Sequence, residues 1–84
     1  MRRRARVDRN SVEIVRTLRQ LGFLVFDCSR VGQGWPDLAV CRGGVVQLVE
    51  LKTPTGKLTP DQVRFMDAGW PVKVIRNVDE CLLL

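Results

Sequence analysis

Asp37, Glu50 and Lys52 have the residue types and the spacing that metal-assisted hydrolysis requires. Gly43-Gly44, between two apolar runs, predicts a β-hairpin with a two-residue turn. Counting outward from that turn places Asp37 directly opposite Glu50, and the alternation of side chains along a strand puts Lys52 on the same face. The sequence therefore predicts two carboxylates and one ammonium on one side of a sheet.

Two opposed acids on an otherwise apolar face need a physical reason. Their Cβ atoms would lie about 4.5–5.5 Å apart, where like charges destabilise a strand pair. A Mg²⁺ ion, which prefers carboxylate oxygens, would offset the repulsion between Asp37 and Glu50 by binding both. The Lys52 ammonium could then hold an attacking water or stabilise developing phosphoryl charge. These parts suit hydrolysis of a phosphodiester, because a bound cation polarises the phosphate and activates water.

The alternative interpretation is a surface hairpin in which Glu50 and Lys52 pair with each other at an exposed strand end. The residues on the opposite face of the same two strands are also apolar, which argues against this interpretation. A sheet that is apolar on both faces is expected to be covered on both. The residues that carry this argument are Leu38, Val40, Val49 and Leu51.

The residue types that are absent narrow the chemistry further. The sequence has no His and no Tyr, which excludes histidine general bases, histidine-activated nucleophiles, histidine-ligated zinc and tyrosine-based strand transfer. Cys28, Cys41 and Cys81 are an odd number with wide spacing, which predicts reduced thiols and a cytoplasmic protein. No apolar run approaches the ~18–20 residues of a membrane span, so we expect no membrane partner.

The positive charge of the chain favours a nucleic acid as its partner. The formal net charge is +5, and eleven of the fourteen basic residues are arginine, which grips phosphate bidentately. The alternative is a charge that only keeps the protein soluble. Residues 1–9 read as a flexible basic arm and residues 10–84 as one domain, whose small core makes a homodimer expected. Candidate DNA contacts are Arg2, Arg3, Arg4, Arg6, Arg30 and Lys57.

The elements that must position these residues follow from periodicity and end signals. The pattern predicts an α/β fold in the order α-β-β-β-α-β-α, with a mixed sheet and a central β-hairpin flanked by helices. Thr59 and Gln62 form a capping box that starts the second helix, with Pro60 at its first helical position. The predicted ranges are helix 10–21, strand 23–28, strands 36–41 and 45–52, a helix from 59 to 69, strand 70–76 and helix 79–84.

Three segments together resemble the virus-type replication-repair nuclease (VRR-NUC) domain, a compact branch of the PD-(D/E)XK nuclease superfamily. They are Gly34-Trp35-Pro36-Asp37-Leu38, Val49-Glu50-Leu51-Lys52 and Leu58-Thr59-Pro60-Asp61-Gln62. The resemblance runs from about Glu13 to Glu80. It implies a restriction-endonuclease-like core and a Mg²⁺-dependent endonuclease, with Mn²⁺ as a substitute. It further implies branched DNA such as Holliday junctions as substrate, and a dimer that makes paired cuts.

The same resemblance implies a role for each matching residue. Asp37 and Glu50 would be metal ligands together with the backbone carbonyl of Leu51, and Lys52 would be the catalytic lysine. The first-helix acid of the family matches Glu13, which would join the metal shell directly or through water, although helical periodicity puts Glu13 on the solvent side.

Gln62 matches a glutamine that supports the site in the family, although the capping box alone would also explain it. Trp35 is expected to pack under its loop. The competing hypothesis for the chain is a non-catalytic DNA-binding or recruitment module on the same fold.

Overall fold

The computed structural model describes residues 9–84, which form a mixed α/β fold. Arg2, Arg3, Arg4 and Arg6 lie outside the described residues, and the first helix already includes Arg9, one residue earlier than predicted. The elements are α1 (Arg9–Gln20), β1 (Leu24–Asp27), β2 (Leu38–Arg42), β3 (Val45–Leu51), α2 (Pro60–Asp67), β4 (Val72–Ile75) and a closing 3₁₀ helix (Val78–Leu83).

The four strands form one mixed sheet in the order β1-β2-β3-β4. β2 runs antiparallel to both β1 and β3, whereas β3 and β4 are parallel. Arg42 pairs with Val45 and Leu38 pairs with Val49, so the register predicted from the glycine turn is confirmed. The predicted fold class and element order are also confirmed, except that the closing helix is a 3₁₀ helix.

One face of the sheet carries the core. Ile14 and Leu18 of α1 are fully buried on it, because the apolar stripe of this amphipathic helix packs over the central strands. Burial of side chains of this size stabilises a fold by about 1.5–3 kcal/mol each. The complete buried cluster comprises Ile14, Leu18, Phe23, Leu38, Val40, Val49, Ile75 and Cys81.

The loop before β2 packs against the start of α2. Gly34 has a φ of +84°, and a Cβ atom at this position would collide with the backbone carbonyl of Asp61. The ring of Trp35 meets Phe65 and Trp70 edge-on, with centroid distances of 5.4 and 5.6 Å. The prediction that Trp35 packs under its loop is therefore confirmed, and this packing holds the residue before Pro36 and Asp37 in place.

The sheet face opposite the core is covered only in part. Leu24, Phe26 and Val46 are 73%, 71% and 64% exposed, so the expectation of a sheet covered on both faces is wrong at this end. The strand pairings put these three side chains on the same face, because Leu24 pairs with Cys41 and Phe26 with Ala39. Within residues 9–84, no helix is both long and apolar enough to cross a membrane.

Candidate functional site

Asp37 and Glu50 meet at the end of the hairpin farthest from its turn. Asp37 directly precedes β2, and Glu50 is the penultimate residue of β3. The Asp37 carboxylate accepts a hydrogen bond from the backbone N–H of Leu51 at 2.9 Å. The backbone carbonyl of Asp37 accepts a hydrogen bond from the backbone N–H of Cys28 at 2.7 Å. These hydrogen bonds hold Asp37 next to β3 and to Cys28, although Asp37 itself precedes β2.

The two carboxyl groups are electrostatically costly together. Glu50 is only 4% exposed. Burial, together with the charge of Asp37 and hydrogen bonding to it, raises the pKa of Glu50 from 4.5 to about 7, and the nearby Lys52 ammonium offsets only part of this effect. At neutral pH the acid pair therefore retains a proton in a large share of the molecules. A bound cation would stabilise the ionised carboxylates, so the pair would no longer retain this proton.

Gln62 reaches the acid pair from α2. Its side-chain N–H donates to Glu50 Oε2 at 2.7 Å, while its own Oε1 accepts from the backbone N–H of Thr59 at 2.9 Å. The capping box is therefore present, as the sequence predicted. The same side chain serves both the helix start and the acid pair, so the two interpretations of Gln62 are compatible.

Lys52 stands directly after β3, where its Nζ lies 3.7 Å from Glu50 Oε2. Its side chain is 15% exposed. The backbone N–H of Lys52 donates to the carbonyl of Ile75 at 3.1 Å, and its carbonyl accepts from the amide of Asn10 at 3.3 Å. Contacts from β4 and from α1 therefore hold the backbone of Lys52 in place, and its ammonium lies beside Glu50.

Asn10 and Arg76 support this region, and the sequence reasoning missed both. The Asn10 amide also donates to the carbonyl of Arg76 at 3.0 Å, and the Arg76 guanidinium donates to the carbonyls of Thr53 and Gly56 at 2.8 and 2.7 Å. The loop after Lys52 is thus tied to β4. No local signal could have revealed these contacts, because the carbonyls that Asn10 binds are 42 and 66 residues further along the chain.

The remaining candidate residues are placed differently. The Leu51 backbone lies next to the pair through its bond to Asp37, whereas Glu13 is exposed on α1. Among residues 9–84, no group of three or more acidic or cysteine side chains is close enough to hold a metal ion. The structure thus does not bring Glu13 to the pair, and its role as a ligand stays a prediction. Arg30 and Lys57 lie exposed in loops.

A groove of about 1040 Å³ opens beside the acid pair, between α1 and the loop that follows Lys52. Asp37 and Lys52 line one end of it, and Arg16, Arg19 and Lys57 line its walls. Substrate could therefore approach Asp37 and Lys52 from this side without any change in the core.

The donor atoms at the pair suit a hard divalent cation. Two carboxylates and the neighbouring Leu51 carbonyl offer only oxygen ligands, which Mg²⁺ and Mn²⁺ prefer over nitrogen or sulfur. Burial and the neighbouring Asp37 raise the pKa of Glu50, and a cation bound between the two acids would act against both causes. The residues present therefore fit such an ion.

A mixed sheet whose central hairpin ends in this acid pair and lysine defines a nuclease-type α/β domain. Comparison with known proteins agrees. A solved structure titled as a VRR_NUC domain aligns with a TM-score of 0.69 and 31% sequence identity, over 90% of this chain and 89% of that one. The chain therefore belongs to the VRR_NUC domain family, as the sequence motifs indicated. No family model matches the sequence, and no curated protein matches it either.

Proposed function

We propose that this protein is a metal-dependent DNA endonuclease that hydrolyses phosphodiester bonds with Mg²⁺, or with Mn²⁺ as a substitute. The observation that carries the proposal is the buried Glu50 carboxyl beside Asp37, whose pKa is raised to about 7. An acid pair of this kind destabilises a metal-free fold. It is useful where the pair holds a cation against a phosphate.

The residues of the site divide the work between them. Asp37, Glu50 and the Leu51 carbonyl would hold the ion, which when bound polarises the phosphate and makes its water more acidic. The Lys52 ammonium orients the attacking water or stabilises the phosphoryl charge. Gln62 fixes the rotamer of Glu50 through its 2.7 Å hydrogen bond, so the carboxylate is already oriented.

We further propose that the protein acts as a homodimer on branched DNA such as Holliday junctions. The exposed side chains of Leu24, Phe26 and Val46 support an interface on the open sheet face, since apolar clusters of this kind mark association surfaces. Two copies would provide two sites for paired cuts. Light scattering tests the dimer directly. The free thiols of Cys28, Cys41 and Cys81 support a cytoplasmic location.

Cleavage of linear, flap and four-way DNA in Mg²⁺, Mn²⁺ or EDTA tests the enzyme proposal. We expect metal-dependent cleavage by the wild type, and loss of cleavage with retained DNA binding for Lys52→Ala. Lys73→Ala, which removes an exposed lysine on β4, is the matched control and should cleave normally. Equal cleavage by Lys52→Ala and Lys73→Ala would remove Lys52 from the mechanism.

The second candidate is a non-catalytic DNA-binding or recruitment module. One observation favours it. Glu50 already accepts a hydrogen bond from Gln62 and lies close to Lys52, so this carboxyl group has partners within the protein. If the folded wild type binds DNA but cleaves no substrate in either metal, this candidate replaces the enzyme.

A further inference from the structure

We propose that the groove beside the acid pair binds an unpaired DNA strand, with Arg16 and Arg19 of α1 contacting its phosphates. This inference rests on the proposed nuclease function and deepens it by naming the form of DNA that enters the site. It also assigns a binding role to two arginines that the sequence motifs leave without one.

The walls of the groove are basic. Arg16 and Arg19 are exposed on the same side of α1, because residues three apart in a helix are neighbours. Lys52 and Lys57 line the groove from the segment that follows β3. The groove also contains Asp27, but its carboxylate already accepts a hydrogen bond from the Ser29 backbone N–H at 2.8 Å. Four cations against Asp27 and the catalytic acid give the groove the charge that a phosphate backbone requires.

Aliphatic side chains also line the groove, and they discriminate between forms of DNA. They belong to Val12, Val15, Val25, Leu38 and Leu51. A duplex presents phosphates and sugars outward and keeps its base faces stacked inside, so it has little to place against such a lining. An unpaired strand exposes sugars and base faces that can be buried there while its phosphates meet the basic side chains.

The position of the groove gives this binding a consequence for cleavage. Because Asp37 and Lys52 line the groove itself, the backbone of a strand lying along α1 would reach these two residues of the site. Flaps and open junctions contain unpaired nucleotides next to a duplex, whereas linear duplexes do not. The groove would therefore select branched DNA by the strand it admits, without reading its sequence.

The test measures binding of one labelled oligonucleotide, as a single strand and as a duplex, over a range of salt concentrations in EDTA. We expect the wild type to prefer the single strand. The Arg16→Gln/Arg19→Gln variant should show a shallower dependence of log K on log salt, by about 1.4, since each phosphate contact on a single strand contributes about 0.7. Glutamine keeps the helix propensity of these exposed positions close to that of arginine.

Two further variants keep the test independent of folding and of net charge. Arg64→Gln/Lys73→Gln removes two exposed charges that do not line the groove, and it should retain the wild-type salt dependence. Val12→Glu places a negative charge in the groove at a residue that is 40% exposed, and it should weaken single-strand binding without lowering Tm.

The inference is overturned if the two double variants have the same salt dependence, or if the wild type prefers the duplex. The nuclease proposal fails separately. Single-strand binding that depends on Arg16 and Arg19, without any cleavage in Mg²⁺ or Mn²⁺, would retain the groove and reject the enzyme. Metal-dependent cleavage that is indifferent to both arginines would retain the enzyme and reject the groove.

Discussion

Replacing Glu50 with Gln is expected to stabilise the metal-free protein above neutral pH. Burial and the neighbouring Asp37 raise the pKa of Glu50 from 4.5 to about 7 in the folded protein. The interval between these two pKa values corresponds to about 3 kcal/mol of folding free energy, at about 1.4 kcal/mol per pH unit. Glutamine has the same shape and can still accept the hydrogen bond from Gln62, but it never ionises.

The sign of the effect follows from where the proton sits. Below pH 4.5 the carboxyl is protonated in both the folded and the unfolded protein, so Glu50 carries no ionisation cost. Between pH 4.5 and about 7 the folded protein keeps a proton that the unfolded chain releases, and stability falls as pH rises. Above pH 7 the full cost is present. The advantage of Glu50→Gln should therefore grow across this window and then level off.

Urea unfolding in EDTA between pH 4.5 and 8.5 measures this difference. Comparing the two proteins at each pH cancels the titration of groups that do not interact with Glu50. Asp37 and Lys52 are the charged side chains that act on Glu50, and both remain in the variant. A difference in unfolding free energy that stays constant with pH, or a less stable variant at pH 8, would refute the assignment of Glu50 as a costly buried acid. Added Mg²⁺ should stabilise only the wild type.

Two further substitutions test the parts that hold the site. Gln62→Ala and Thr59→Ala both break the capping box and should each lose about 1 kcal/mol in urea unfolding. Only Gln62→Ala should also raise the Mg²⁺ concentration needed for half-maximal cleavage, roughly tenfold, since it removes the hydrogen bond that orients Glu50. The same Mg²⁺ requirement in both variants would reject a role of Gln62 at the acid pair. Gly34→Ala should lower stability by about 1–3 kcal/mol because its Cβ meets the Asp61 carbonyl. The control Gly32→Ala has the same left-handed backbone in open space and should lose less, so equal Tm values for the two would contradict this packing.

The features that could be predicted from the sequence are those set by neighbours along the chain. The turn at Gly43-Gly44 and the alternation of the flanking strands determine which residues face each other. The sequence alone therefore predicts the register, whose last pair is Leu38 with Val49, and the proximity of Asp37 to Glu50. The capping box defines its own helix start within four residues, and α2 begins where it predicts. Both signals are local, and tertiary structure had little opportunity to override them.

The features that could not be predicted depend on contacts between distant segments. The Asn10 amide donates to carbonyls 42 and 66 residues away along the chain. The sequence predicts a strand over residues 23–28 but not its place in the sheet, and Leu24 and Phe26 lie exposed on an edge strand. Only the complete sheet order shows which strand is at the edge.

The stability of this domain and its proposed chemistry are linked through Glu50. A chain of this size buries a small core, and a typical domain is stable by only 5–15 kcal/mol. A cost of about 3 kcal/mol is therefore a large share of the total, and it is present at the pH where the enzyme would work. A cation bound at 100 times its Kd would return about 2.7 kcal/mol, which is close to what the acid pair removes. The acid pair thus makes the fold itself sensitive to divalent cations, so a melting temperature that rises with Mg²⁺ above pH 7, and much less at pH 5, is the expected signature.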